Sequence, residues 1–464
     1  MNTKTVLVSR PSVRLLARAV AILVCVSSPV ASFGAAGLLD TWLRKQNDAF
    51  SAWEIGGAVR VRGEISDNID RAVPSRDFHP GLDDSASFLW FHENVRVGYR
   101  NGGWQLFAQG QNGHTSGDDN PRRPGEQSFD LYQAYVAYAS KGDTPVSVSL
   151  GRQEIKIGDQ RFIGVPTWGH TGRAFDSVKG KVGLGKTTLE AFTGHPVVYV
   201  DGRFDDHDSN DLVSGLVLGS KEWLPKHETQ LYVVARNTSA GSSTSVRDIY
   251  TFVASLKSLP KAAGEWSWEA LVALQRGDIT VSGIERDQRA WGVHAQASRS
   301  WSKAAGKPSL GIEYNWSSGD RDPNDGRSET LDILFGSNHG KYGIMDLTGW
   351  RNTHELHAFG GVKASRSVTV TAHLHGFWMS DTRDFFYPQG GGGRSGNGYG
   401  RNAAYGSFLG TEATVEAVWK AREWLDVRGG GGRFFTGRYI DQSKAALGGA
   451  SDASWYYVQS TFSF

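Results

Sequence analysis

The densest run of chemistry-bearing side chains lies between residues 150 and 181. Gly151-Arg152-Gln153-Glu154 is followed by Gly158-Asp159-Gln160-Arg161, Ile163-Gly164, Trp168, Thr171-Gly172-Arg173 and Phe175-Asp176. Guanidinium groups held by nearby acids present fixed forks that match the two oxygens of a carboxylate. Arg60, Arg62, Arg96, Lys179 and Lys181 fall on the polar faces of alternating segments and continue this cationic track. The spacing predicts that Asp159 and Asp176 orient Arg161 and Arg173. The plainer reading is that the charges neutralise one another and brace a wall, and a braced arginine serves both.

Other motifs resemble chemistry less closely. Gly180-Lys181-Val182-Gly183-Leu184-Gly185-Lys186-Thr187 fits the phosphate-loop pattern letter for letter. That loop needs a helix after it, whereas Leu189 and Ala191 alternate here with Glu190 and Phe192, so a tight turn between strands is expected. Asp320-x-Asp322-x-Asn324-Asp325-Gly326 is not an EF-hand, because its glycine is one place late and position twelve is Leu331. Asp205-Asp206-His207-Asp208 reads as a solvated acidic loop. His373-x-His375, with His354-x-x-His357 before it, reads as polar wall rather than metal site. No metal, cofactor or catalytic residue is assigned, although a Ser/His/Asp set of a lipid-modifying barrel enzyme is kept as an alternative.

The elements that carry these residues alternate with period two. In residues 53–66, Trp53, Ile55, Val59, Val61 and Ile65 oppose Glu54, Arg60, Arg62 and Glu64. Leu89, Phe91, Val95, Val97 and Tyr99 oppose His92, Asn94, Arg96 and Arg100. The same pattern recurs near residues 104, 266, 310 and 368 and reaches the last residue. There Tyr456, Val458, Phe462 and Phe464 share one face. A soluble sheet that ends on an apolar edge invites aggregation. A closed barrel in lipid has no edge, and needs apolar residues outside and polar ones inside. Terminal Phe464 looks like the signature read by the barrel-assembly machinery. A soluble or surface-bound β-protein is the alternative.

Composition agrees with strands that cross a membrane. The 464 residues include 58 Gly, 16 Trp, 15 Tyr and 22 Phe, and mean hydropathy is −0.39. Residues 1–34 read as a cleaved signal peptide, with basic Lys4, Arg10, Arg14 and Arg18 before the apolar residues 19–26. The only cysteine, Cys25, lies in this segment. The formal charge of +2 becomes −2 without these four basic residues, which gives no bulk positive charge for nucleic acid. Residues 35–464 are then one domain, an all-β transmembrane antiparallel barrel of about 18 strands. Its connections alternate between long (67–86, 112–128, 153–172, 318–352, 379–407) and tight (101–103, 141–144, 183–186, 364–366, 420–423). Short periplasmic turns and long extracellular loops account for this.

The block from Gly151 to Asp176 resembles the defining motif of the alginate export family of outer-membrane porins. Leu331, Phe335, His339, Gly343, Asp346, Asn352, Gly410, Glu412, Phe435, Gly437 and Ile440 continue the likeness. The resemblance implies a monomeric outer-membrane barrel with an arginine-rich constriction that passes anionic polysaccharide such as alginate-like uronate. The predicted pore lining is Arg60, Arg62, Arg96, Arg152, Asp159, Arg161, Arg173, Asp176, Lys179 and Lys181. The expected partners are anionic oligo- or polysaccharide, outer-membrane lipid and the assembly machinery. The tight turn at 420–423 lacks the long periplasmic segment of a dedicated exporter. It favours the alternative, a broader uptake porin for sugars or organic acids.

Overall fold

The computed structural model describes residues 38–464, apart from 71–72, 82–84, 118–125, 170, 243–244, 261–265 and 282. The expected signal segment and Cys25 lie outside the described residues. An N-terminal helix α1 (Leu38–Gln46) leads through a short 3-10 turn into the first strand. Arg44 ties the two by donating to the Trp53 carbonyl at 2.7 Å.

Eighteen long antiparallel strands form one closed ring. They are β1 (Trp53–Asp67), β2 (Ala86–Asn101), β3 (Trp104–Ser116), β4 (Gln127–Ala139), β5 (Val146–Gln153), β6 (Phe175–Leu184) and β7 (Thr187–Val198). After the two-residue β8 (Asp206–His207) come β9 (Asp211–Ser220), β10 (His227–Thr238), β11 (Arg247–Ser258), β12 (Trp266–Val281), β13 (Ile284–Ser300) and β14 (Ser309–Ser317). After the two-residue β15 (Arg327–Ser328) come β16 (Thr353–Lys363), β17 (Val368–Met379), β18 (Phe408–Arg422), β19 (Leu425–Thr436) and β20 (Ala453–Ser463). Closure is made by β1, which pairs with β2 on one side and β20 on the other. Phe464 extends this seam, exchanging two backbone hydrogen bonds of 2.9 Å with Gly57. The ring thus closes without a free sheet edge.

The predicted faces are the observed ones. Val95, Leu106, Leu231, Val272, Leu310, Leu374 and Val415 stand exposed on the outside. Trp53, Trp104, Trp266, Trp301 and Trp419 ring the end that carries the short turns, where indoles suit the interface. The phosphate-loop look-alike is the turn between β6 and β7, with Gly185 at φ +63. Connection lengths alternate as expected, with one exception. β12 ends at Val281 and β13 starts at Ile284, a short link at the otherwise long-looped end.

The interior differs from a wholly wet lumen. Phe175, Phe192, Val213, Val234, Val253 and Leu271 on inward wall positions pack with Ile157, Phe162, Ile163 and Trp350 from inserted loops. These loops are residues 154–174 and 318–352, which meet in a parallel bridge between Ile163 and Phe335. On the opposite side, Phe377, Leu409, Phe434 and Trp455 of the wall bury Phe78, Met345, Phe386 and Tyr439. Tyr439 belongs to α2 (Arg438–Lys444) in the last long connection. Inward loops bury apolar surface against the wall, so inward wall positions are apolar wherever a loop lies on them.

Candidate functional site

Three inserted loops and the wall between them enclose the main cavity, of about 910 Å³, in the long-loop half of the barrel. Among the described residues, six arginines line it. Arg236, Arg247 and Arg286 come from β10, β11 and β13, while Arg173, Arg351 and Arg401 come from three inserted loops. Asp320, Asp332 and Asp346 are the acids of the lining. Two of these acids are closely paired and the third more loosely. Asp332 accepts from Arg247 at 2.7 Å and lies 3.8 Å from Arg351. Burial alone would raise its carboxyl, but Arg247, Arg351 and Arg236 outweigh it and hold it below the usual carboxylate range. Asp346 is bonded to His339 at 2.9 Å. Asp320 lies 3.7 Å from Arg286, and burial together with neighbouring Asp384 pushes it up to about 6.

Arg173 is the family-block arginine that faces this cavity. It donates to the carbonyls of Phe335, Gly164 (3.1 Å) and Gly336 (3.3 Å) and, among the described residues, to no carboxylate. Burial lowers its guanidinium to about 10, which leaves it charged at neutral pH. Arg401 lies over the Phe385 ring, 4.5 Å from its centroid. Gly390, Gly391 and Gly392 border the same space, and a Cβ there would meet nothing within 4 Å.

The pairing expected for Asp176 is corrected by register. Asp176 sits opposite Arg152 across β5 and β6 and takes it in a bidentate bridge of 2.8 and 3.1 Å, with His207 at 3.0 Å. Arg173, two residues before β6 begins, points into the cavity instead. Asp159 does hold Arg161 as expected. Arg161 is 3 % exposed and also binds Glu313 at 2.8 Å, Tyr342 at 2.7 Å and His294 at 2.8 Å. It is therefore a strut below the vestibule. Asp159 and His294 border a second cavity of about 190 Å³ in the short-turn half, which shares no lining residue with the first.

The remaining predicted residues do other work. Arg60 donates to the carbonyls of Thr167 and Gly169. Arg62 is fully buried, bonded to Glu64 (2.6 Å) and the Trp168 carbonyl (2.8 Å), with its guanidinium 3.7 Å from the Trp168 ring. Together they clamp the 154–174 loop onto β1. Trp168 in turn stacks on His339 at 4.0 Å. Arg96 pairs with Glu54 near the short-turn end, and Lys181 pairs with Glu190 at 3.6 Å. Neither these two nor Lys179 reaches the arginine cavity. Arg173 apart, the arginines that do reach it, Arg236, Arg247, Arg286, Arg351 and Arg401, are not among the residues the sequence singles out. Alternation offered a signal for Arg236, which follows inward Tyr232 and Val234 on the same face.

The other resembling residues fix loops. Asn352, at φ +51, donates to the carbonyls of Asp381 (2.8 Å) and Phe385 (3.0 Å) and accepts from the Asp381 amide at 2.8 Å. Glu412 of β18 accepts from the Ile344 amide at 2.6 Å. Gly343, at φ +87, lies so close that a Cβ would come 2.6 Å from the Glu412 carboxylate.

The structure resembles solved porins of Pseudomonas aeruginosa at low identity. OccK11 (OpdR) matches with 12% identity over 89% of this chain and 96% of that one, at a TM-score of 0.55. OpdQ matches with 9% identity over 89% and 98%, at 0.57. OpdK, in a structure with vanillate, matches with 10% identity over 88% and 98%, at 0.56. No curated protein matches the chain. The family model for alginate export matches residues 52–453. That match spans almost the entire ring of strands and the loops that build the vestibule, so this outer-membrane β-barrel channel belongs to the alginate export family.

Proposed function

We propose that the channel passes anionic sugars, oligo- or polyuronates, by passive diffusion, with the arginine vestibule as its selective element. The observation that carries this is the convergence, among the described residues, of six arginines from three strands and three loops on one cavity, against three lining aspartates and Asp211, which holds Arg236. Guanidinium forks held by backbone carbonyls and carboxylates match uronate carboxylates in two-point geometry. Several such groups in series, each of moderate strength, allow a polyanion to enter and to leave. The OpdK structure with vanillate, itself a carboxylate, is consistent with small organic acids as further cargo. The two-residue turn between β18 and β19 supports uptake of such acids as the second reading.

Planar-bilayer recording tests the proposal. Wild type is expected to be anion-selective, and oligouronate is expected to block its current. Arg173→Ala with Arg401→Ala is expected to lower the anion-to-cation permeability ratio several-fold. A cation-selective channel that these substitutions leave unchanged would overturn the reading. Liposome swelling with uronates beside neutral sugars separates the two cargo classes.

A further inference from the structure

We propose that His357, His373 and His375 form a binding site for a late first-row divalent metal ion of the zinc class in the lumen wall. His357 of β16 lies directly opposite His375 of β17, and His373 follows two places along the same inward face. Each of the three offers a ring nitrogen, and these atoms all lie within 4.8 Å of one another. Neutral imidazoles in this number suit zinc, nickel or copper rather than magnesium or calcium.

The partners of the other ring nitrogens fix which atoms face the ion. His357 Nδ1 is bonded to Glu313 at 3.0 Å, and His375 Nδ1 to Glu355 at 2.7 Å. With each carboxylate accepting the Nδ1–H, Nε2 is the lone-pair nitrogen of both rings. This is the carboxylate–histidine arrangement that supports metal ligands elsewhere. His357 Nε2 meets His373 Nδ1 at 3.1 Å. His375 is fully buried, and its Nε2 has no hydrogen-bond partner among the described residues. A buried and unpaired nitrogen costs free energy unless something binds it. On β18, Glu412 and Thr414 sit opposite His375 and His373, and each also has a buried side-chain oxygen without a partner among the described residues. His357 and His375 stack with centroids 3.8 Å apart, so their rings must turn about χ2 for both lone pairs to meet one ion. That torsion is soft.

Two other clusters with ligand spacing, Asp159/Glu269/His294 and Asp176/Asp206/His207, are less suited. Arg161 already occupies the first and Arg152 the second. Half-buried His373 leaves the three-histidine set open toward the lumen, with a fourth position free for water or a carboxylate.

The test uses the tag-free full-length barrel in detergent, stripped with a chelator and titrated with zinc chloride against a chromophoric competitor. One tight site per chain is expected. His357→Gln with His375→Gln is expected to abolish it, and Glu355→Gln to weaken it about tenfold. His354→Ala is expected to leave it intact, because His354 faces outward and bonds Tyr314 at 2.7 Å. Heat-modifiable mobility on gels reports the fold of each variant. Should the double variant fail to fold, cobalt absorption of the wild type decides, with intense four-coordinate bands supporting the site. No stoichiometric binding, binding undiminished in the folded double variant, or only weak six-coordinate cobalt bands would overturn it.

Discussion

At the scale of single residues, charge in this barrel divides into struts and lining. Arg62, Arg152 and Arg161 are buried against carboxylates and carbonyls, and hold loops or strands in place. Arg173 and Arg401 face the vestibule. The acid that titrates most usefully among the lining residues is Asp320. Its ordinary range lies near 4, but burial and Asp384 raise it to about 6. It is therefore ionised at pH 7.5 and neutral at pH 5. Losing that negative charge leaves Arg286, 3.7 Å away, less compensated, so the net positive field of the cavity grows as pH falls. Anion selectivity measured by reversal potential is expected to rise through an inflection near pH 6. Asp320→Asn is expected to show the high, acid-side selectivity throughout. A wild-type profile that is flat between pH 5 and 7.5 would contradict this.

At the scale of elements, strands were legible in the sequence and inserted loops were not. Period-two alternation identified the outward faces of β1, β2, β12, β14 and β17 because lipid and lumen impose opposite demands on successive residues. The same rule dismissed the phosphate-loop match as a hairpin. It failed for Asp176, whose partner depends on the strand-to-strand register that gives it Arg152. It was silent on Arg247, Arg286, Arg351 and Arg401, since their convergence depends on how loops at distant places in the chain fold inward. Asn352 joins two of those loops. Its side chain makes three hydrogen bonds to backbone groups of the 380–407 connection, and its left-handed φ is one asparagine tolerates better than alanine. Asn352→Ala should cost about 3 kcal/mol in chemical unfolding. It should also loosen the loop, which single-channel recording would detect as a larger and noisier conductance. An unchanged current with unchanged stability would mean that the loops are held elsewhere.

At the scale of the whole molecule, one seam decides whether there is a channel at all. Each of the other strand pairs is joined by a local connection, but β1 and β20 come from the two ends of the ring and must find each other across it. Two hydrogen bonds of 2.9 Å between Gly57 and Phe464 finish that pairing. Gly57 is also where the last side chain rests. A Cβ built there would come 2.6 Å from the Phe464 ring and closer still to the Asn94 carbonyl of β2. Gly57→Val should therefore displace Phe464 and strain the β1–β2 ladder while leaving the other strand pairs unaltered. An unclosed sheet exposes two edges in a medium that offers them no hydrogen bonds, so the penalty falls on the assembled barrel. Slower assembly and a smaller fraction of compact, heat-modifiable barrel on unboiled gels are expected. Phe464→Ala, which removes the ring but keeps the backbone bonds, should have the milder effect on the folded barrel. If Gly57→Val assembled at the wild-type rate and yield, closure would not depend on this contact.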